Sequence, residues 1–301
     1  MTLPTPKNPW APRSFTGPES VPAVQHRIDA GGADTAYWEA GAGQPVVLIH
    51  GSGAGVSAAV NWYATIDGLG PGFRVLAPDL VGFGDSQMDP DRPYGIQVWV
   101  DHVLAFLDAM GIDRADIVGN SLGGWVGATL AAQSPSRVRR LVLMGTGGTP
   151  ESATPALLRN STYRPDLDRM RTVLRNFVER PSLITEDLIT YRFEMSCRPG
   201  AADTFTATAN ARNHDRVHAP LTGDVLGGIE AETLVVHGRQ DHVIPVVSSW
   251  NLLAHLRAGH LVVLDRCGHW AQIEHARRFN LLVSDFLTHG LIDGLAMDDG
   301  S

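Results

Sequence analysis

Short runs centred on apolar residues alternate with segments of helical period along most of this chain, and that alternation limits the folds open to it. PVVLIH (Pro45 to His50), FRVLAPD (Phe73 to Asp79), ADIVGN (Ala115 to Asn120), VRRLVLMGT (Val138 to Thr146), ETLVVHG (Glu232 to Gly238) and HLVVLDR (His260 to Arg266) read as strands, with VQHRID and TAYWEAG as further β-type sequence upstream. Between them, IQVWVDHVLAFLDAM from Ile96 to Met110 sets Val100, Val103, Leu104 and Leu107 at helical spacing, with Gly111 as a stop. SLGGWVGATLAAQ is helical up to Pro135, PVVSSWNLLAHL follows the ETLVVHG run, and a last helix is expected from about Gln272 to Thr288. Apolar strands joined through helices make an α/β fold: a mostly parallel central sheet with helices on both faces.

A length of 301 residues suits one large α/β domain carrying an insertion. From Gly147 to Thr222 the strand signal lapses and amphipathic pieces such as LDRMRTVLRNFVERP and ITEDLITYRFEM take over. The expected organisation is therefore a core of residues 1–146 and 223–301 with a helical cap over 147–222. The first 20 residues, rich in Pro, Ser and Thr, read as an irregular lead-in, and DGLAMDDGS at the end as a frayed acidic tail. A formal charge of −8 and no Lys/Arg run argue against nucleic-acid and membrane-surface roles, which need a basic face. No apolar run approaches the ~20 residues of a membrane span. With two cysteines, Cys197 and Cys267, in dissimilar segments and no charged-then-apolar leader, the expectation is a reduced, cytoplasmic protein.

Chemistry enters at VGNSLGG (Val118 to Gly124). GNSLG matches G-x-S-x-G, and it stands between an expected strand and an expected helix, the context the motif requires. A turn that sharp crowds backbone around the serine, so Gly119 and Gly123 flank it, and Ser121 is lifted to the positive end of a helix. A serine hydroxyl attacks only when a base takes its proton and a carboxylate orients that base. Asp241, after ETLVVHG, and His269, after the HLVVLDR strand, both follow strand ends on the same rim as Ser121, in the chain order Ser, Asp, His. His50, His237 and His242 are read as structural neighbours, and Asp79 and Asp265 as strand-end residues without catalytic duty. HGSGAG (His50 to Gly55) supplies the second backbone donor of an oxyanion hole, so the N–H groups of Ser52 and Leu122 are assigned to it.

With these residues in view the chain resembles the α/β-hydrolase fold over nearly its whole length. More narrowly it is similar to the meta-cleavage product hydrolases, the carbon–carbon bond hydrolases of bacterial aromatic catabolism, in HGSGAGVSAAVNW, GNSLGGWVGATLA, ITEDLITYRFE and GHWAQIEHARRFN. The resemblance implies a 2-hydroxy-6-oxo-dienoate substrate whose C5–C6 bond is cleaved by water after the dienol becomes a ketone, with no cofactor and no metal. It places polar substrate contacts on Asn61, Asn120, Arg192 and Trp270, with Arg192 and Asn120 at the carboxylate and 2-oxo end, and it implies a homodimer or larger homo-oligomer. Two departures stand out: Leu122 where the family often has Met, and the YRF context of Arg192.

Three of the implied contacts have a competing reading. Arg192 competes with a solvated arginine on a cap helix, and Arg198 or Arg212 would offer the same charge. Asn61 competes with a loop residue bonding its own backbone, and Trp270 with packing. An anionic substrate still requires a local cation in a protein of this charge, and a guanidinium presents a bidentate fork to it. Two further functions share the motifs: a carboxylesterase or lactonase, which needs no anion clamp, and a ligand-binding receptor on a retained hydrolase fold.

Overall fold

The computed structural model describes residues 21–290; the expected lead-in and acidic tail lie outside them. Eight strands form one sheet in the order β1-β2-β4-β3-β5-β6-β7-β8. They are β1 (Val24–Asp29), β2 (Asp34–Ala40), β3 (Pro45–Ile49), β4 (Arg74–Pro78), β5 (Ala115–Asn120), β6 (Val138–Met144), β7 (Glu232–Gly238) and β8 (Gly259–Leu264). From β4 to β8 every pairing is parallel; β1 and β2 join as antiparallel strands at one edge. The apolar runs fall in the middle of the sheet because both of its faces are covered there: β5 is buried at every position, whereas the edge strand β1 is largely exposed.

Helices α1 (Ala58–Leu69) and α11 (Ala276–His289) pack on one face through Trp62, Ile66, Phe279 and Val283. Helices α2 (Ile96–Ala109) and α3 (Leu122–Gln133) pack on the other through Val100, Val103, Leu107 and Leu130. Gly111, at φ 65°, stops α2 in the left-handed conformation anticipated for it. The sequence reading of one terminal helix from Gln272 needs correction. A short α10 (Ala271–Glu274) precedes α11, and the chain breaks at His275, whose φ of −126° leaves the helical range.

Between Met144 and Glu232 there is no strand but five α-helices: α4 (Pro155–Ser161), α5 (Leu167–Arg175), α6 (Glu186–Ser196), α7 (Ala201–His218) and α8 (Gly223–Gly227). Thr154, Asp166, Thr185 and Thr222 cap α4, α5, α6 and α8 with side-chain oxygens that accept N–H groups of the first turns. Met170, Leu174, Ile189 and Tyr191 from these helices join the same apolar cluster as α2 and α3. Helix α9 (Val247–His255) connects β7 to β8. No helix among the described residues is long and apolar enough to cross a membrane.

The register places Ile49 beside Gly119, Asn120 beside Met144 and Met144 beside Val236. The loops that leave β3, β5, β6 and β7 therefore open on one rim, where ligand sites of such sheets form.

Candidate active site

At the end of β5 the backbone turns so sharply that Ser121 takes φ 55°, ψ −110°, a conformation an L-residue holds only when its surroundings enforce it. The glycines explain how. A Cβ on Gly119 would stand 2.3 Å from the carbonyl oxygen of Gly123, and one on Gly123 would stand 2.0 Å from that of Ile49. Ser121 N–H donates to the Met144 carbonyl at 2.9 Å, fixing the turn against β6, and α3 begins at the next residue.

Asp241 follows β7 and is buried. Its Oδ1 accepts the N–H groups of Val243 and Ile244 at 2.7 and 2.9 Å, and its Oδ2 lies 2.7 Å from His269 Nδ1. Burial alone would raise this carboxyl, but the attraction of His269 together with hydrogen bonds from His237 and His269 holds it well below the usual carboxylate range. A carboxylate only accepts, so His269 Nδ1 carries the proton and Nε2 is left as a base. His269 and Ser121 line one small cavity together with Gly51, Ser52, Val56, Asn61, Asn120, Phe177, Arg192 and Trp270. Every residue named for the site from the sequence borders this space except Asp241 and Leu122. Asp241 stands behind His269, and Leu122 follows Ser121 in the chain. The backbone N–H groups of Ser52 and Leu122 have no hydrogen-bond partner among the described residues.

The glycine-rich loop after β3 is shaped by Arg192. A Cβ on Gly53 would sit 2.9 Å from its Nη2, and one on Gly55, at φ 65°, would sit 2.0 Å from its carbonyl oxygen. The Arg192 side chain, on α6, is 2% exposed and donates through Nε to the Ala54 carbonyl at 2.9 Å. Burial pushes its pKa down to about 10, and no carboxylate pairs with it among the described residues. It is not a solvated surface arginine. Of the other candidates for the charge, Arg198 is spent on Asp85 at 2.7 Å, and Arg212, buried over the Phe205 ring at 5.8 Å, does not line the cavity.

The amides are also fixed. Asn61 lies in α1, not in a loop, and its Oδ1 accepts Gly51 N–H at 2.9 Å, which steadies the loop that carries Ser52; the reading of a self-bonding loop residue is corrected accordingly. Asn120 donates to the Met144 carbonyl at 3.3 Å and leaves its Oδ1 buried without a partner. Trp270 stacks on Phe177 with ring centres 4.8 Å apart and forms a wall. Among the described residues no group of three His, Cys, Asp or Glu side chains is placed to hold a metal ion.

An α/β hydrolase fold model matches residues 44–187. Over 265 residues the chain is 43% identical to the 2-hydroxy-6-oxo-2,4-heptadienoate hydrolase of Pseudomonas putida strain F1, covering 88% of this chain and 96% of that one. Over 274 residues it is 41% identical to the 2-hydroxymuconate semialdehyde hydrolase of Pseudomonas sp. strain CF600, covering 91% and 97%. The chain belongs to the meta-cleavage product hydrolases. The crystal structure of the meta-cleavage product hydrolase from Pseudomonas fluorescens IP01, a serine-to-alanine variant complexed with acetates, superposes with a TM-score of 0.83 at 39% identity over 88% of this chain and 98% of that one.

Three residues at the site of this hydrolase escaped the sequence reading or were undervalued by it. His237 Nε2 lies 3.3 Å from Asp241 Oδ2, so the residue set aside as a neighbour touches the acid itself. Phe177, between α5 and α6, stacks on His269 with ring centres 5.6 Å apart, and its carbonyl accepts the His269 backbone N–H at 2.8 Å. Glu274 accepts the N–H of Gly268, next to His269, at 2.6 Å. Only Glu274 had a nearby signal, the GHWAQIEH stretch; the contacts of the other two are purely tertiary.

Proposed function

We propose that this meta-cleavage product hydrolase cleaves the C5–C6 bond of a 2-hydroxy-6-oxo-hexa-2,4-dienoate, with Ser121, His269 and Asp241 as the catalytic triad. The observation that carries the substrate class is the buried Arg192 guanidinium, without a counter-ion among the described residues, in one cavity with Ser121 and His269. Burying a charge unpaired is costly, and a dienoate carboxylate supplies the missing anion. The names of its relatives support the same class.

In this reading Arg192 and Asn120 hold the carboxylate and the 2-oxygen, while Asn61 and Trp270 shape the wall. Charge moving onto the 2-oxygen as the dienol ionises is stabilised by Arg192, and C5 takes up a proton to give the ketone. Carbonyl C6 is then attacked by Ser121, its proton passing to His269 Nε2, or by a water activated through the same nitrogen. The oxyanion settles on the N–H groups of Ser52 and Leu122, each worth about 3 kcal/mol in such sites. Breaking C5–C6 leaves the electron pair on the dienolate held by Arg192. The sum consumes one water and releases a carboxylic acid and 2-hydroxypenta-2,4-dienoate or a substituted relative. The cavity, at about 10 Å³, has room for a single water. A dienoate therefore enters only as the helices over 147–222, which we take as a cap, or the side chains beneath them move aside. A cytoplasmic location and a homodimeric or larger assembly belong to the same reading, the assembly being read by sedimentation of the purified chain.

Arg192→Ala separates this activity from that of an ordinary esterase. It is expected to cripple dienoate cleavage while sparing a neutral ester; equal loss on both would remove the anion clamp. No Ser121-dependent turnover of either would favour a binding protein.

A further inference from the structure

One buried carboxylate away from the triad is committed to holding other parts of the site in place. The Glu274 side chain, fully buried at the end of α10, accepts three backbone N–H groups. Gly268 donates to its Oε1 at 2.6 Å, and Glu179 and Arg180 donate to its Oε2 at 3.0 Å each. Gly268 precedes His269, whereas Glu179 and Arg180 belong to the cap. Arg180 adds a hydrogen bond from its guanidinium to the Glu274 carbonyl.

The two segments so joined make the surroundings of the imidazole. Phe177, two residues before Glu179, takes the N–H groups of His269 and Trp270 on its carbonyl at 2.8 and 3.2 Å, and its ring lies against both of theirs. Gly268 allows this approach, since a Cβ there would come within 2.9 Å of Glu179 N and of the Phe177 carbonyl oxygen. Asp241 fixes one nitrogen of the ring, but a single hydrogen bond leaves the plane free to swing; the Phe177 face and the loop held by Glu274 remove that freedom.

We infer that Glu274 is a positioning residue for the catalytic imidazole, clamping the His269 loop to the cap corner at 177–180 so that base and cap stay registered when the rest of the cap gives way to substrate. The inference rests on the triad reading above. An anionic acceptor is needed because three donors converge on it, and an amide in its place turns an NH2 group toward backbone N–H groups.

The test compares Glu274→Ala and Glu274→Gln with the unmodified full chain on a 6-methyl dienoate and on p-nitrophenyl acetate, with active sites counted by stoichiometric fluorophosphonate labelling of Ser121. Misplacing a reacting group by an ångström costs up to about a hundred-fold, so kcat per labelled site is expected to fall about ten- to a hundred-fold on both substrates with KM changed by no more than about twofold. The low-field proton NMR signal of the His269–Asp241 hydrogen bond is expected to broaden or vanish. A role confined to fold stability would lower the labelled fraction while leaving kcat per labelled site and the proton signal intact, and that result overturns the inference. So does a change confined to KM for the dienoate. If the alanine variant does not fold, the near-isosteric glutamine variant decides. Ser121→Ala, run alongside, tests the triad independently: full turnover there would sink the underlying reading, whatever Glu274 does.

Discussion

The Arg192 Nε donates to the carbonyl of Ala54 across 2.9 Å, joining α6 to the glycine-rich loop after β3 and spending one edge of the guanidinium on the protein itself. What remains is a planar fork on a side chain that borders the same cavity as Ser121. An ammonium cannot reproduce both functions, because it is a point charge on a flexible stem. Arg192→Lys is therefore expected to keep the charge yet lose about ten- to a hundred-fold in kcat/KM on dienoates, the value of a charge-assisted hydrogen bond, with hydrolysis of a neutral ester nearly unchanged. Steady-state kinetics on the two substrates checks it.

Asp241 Oδ2 faces two imidazoles, His269 Nδ1 at 2.7 Å and His237 Nε2 at 3.3 Å. His237 Nε2 also lies 2.9 Å from the Ile244 carbonyl, a pure acceptor, so that nitrogen carries the proton and Nδ1 accepts from Ser249 Oγ at 2.6 Å. Removing this donor takes one hydrogen bond from the Asp241 anion and loosens its hold on the ring it orients. In His237→Phe, kcat on the dienoate is expected to fall about two- to tenfold, the worth of one lost hydrogen bond. An unchanged kcat would show that His237 serves packing alone.

Two other histidines bear on stability. His50 Nε2 accepts Leu80 N–H at 2.9 Å and its Nδ1 faces the Gly51 carbonyl at 2.6 Å; His102 Nδ1 accepts Val81 N–H at 3.3 Å and its Nε2 meets Thr35 Oγ1 at 2.8 Å. Both rings are buried and neutral, and burial lowers each pKa from 6.5 to about 4. A histidine whose folded pKa is depressed contributes stability fully present above its unfolded value and lost as pH falls toward the folded one. The urea midpoint is expected to drop between pH 6.5 and pH 4, with each ring accounting for roughly 3 kcal/mol at the lower end. His102→Gln should flatten that slope; a midpoint independent of pH over this window would contradict the assignment.

The parts of the site that were legible in the sequence are those encoded locally. Ser121 announces itself through glycines that must lie against backbone, and Asp241 and His269 follow apolar strands, so parallel pairing alone brings them to one rim. Arg192 was reached through resemblance, but its burial and the loop glycines packed against it depend on how α6 lies over β3, which no local pattern encodes. Phe177 sits in an amphipathic stretch where any large apolar residue would read alike. Asn61 reads equally well as a loop residue because the Ser57 cap that starts α1 is not distinctive in the sequence, and periodicity carries the expected terminal helix through His275, where the backbone does not follow.

The most direct measurement mixes the purified chain, and separately its Ser121→Ala variant, with a 2-hydroxy-6-oxo-dienoate ring-fission product and follows the yellow dienolate absorbance. Rapid bleaching by the unmodified protein is expected, with 2-hydroxypenta-2,4-dienoate and a carboxylic acid as products, and a rate about 10⁶-fold lower in the variant. Bleaching by Ser121→Ala at close to the unmodified rate, or no bleaching by either protein, would contradict that expectation.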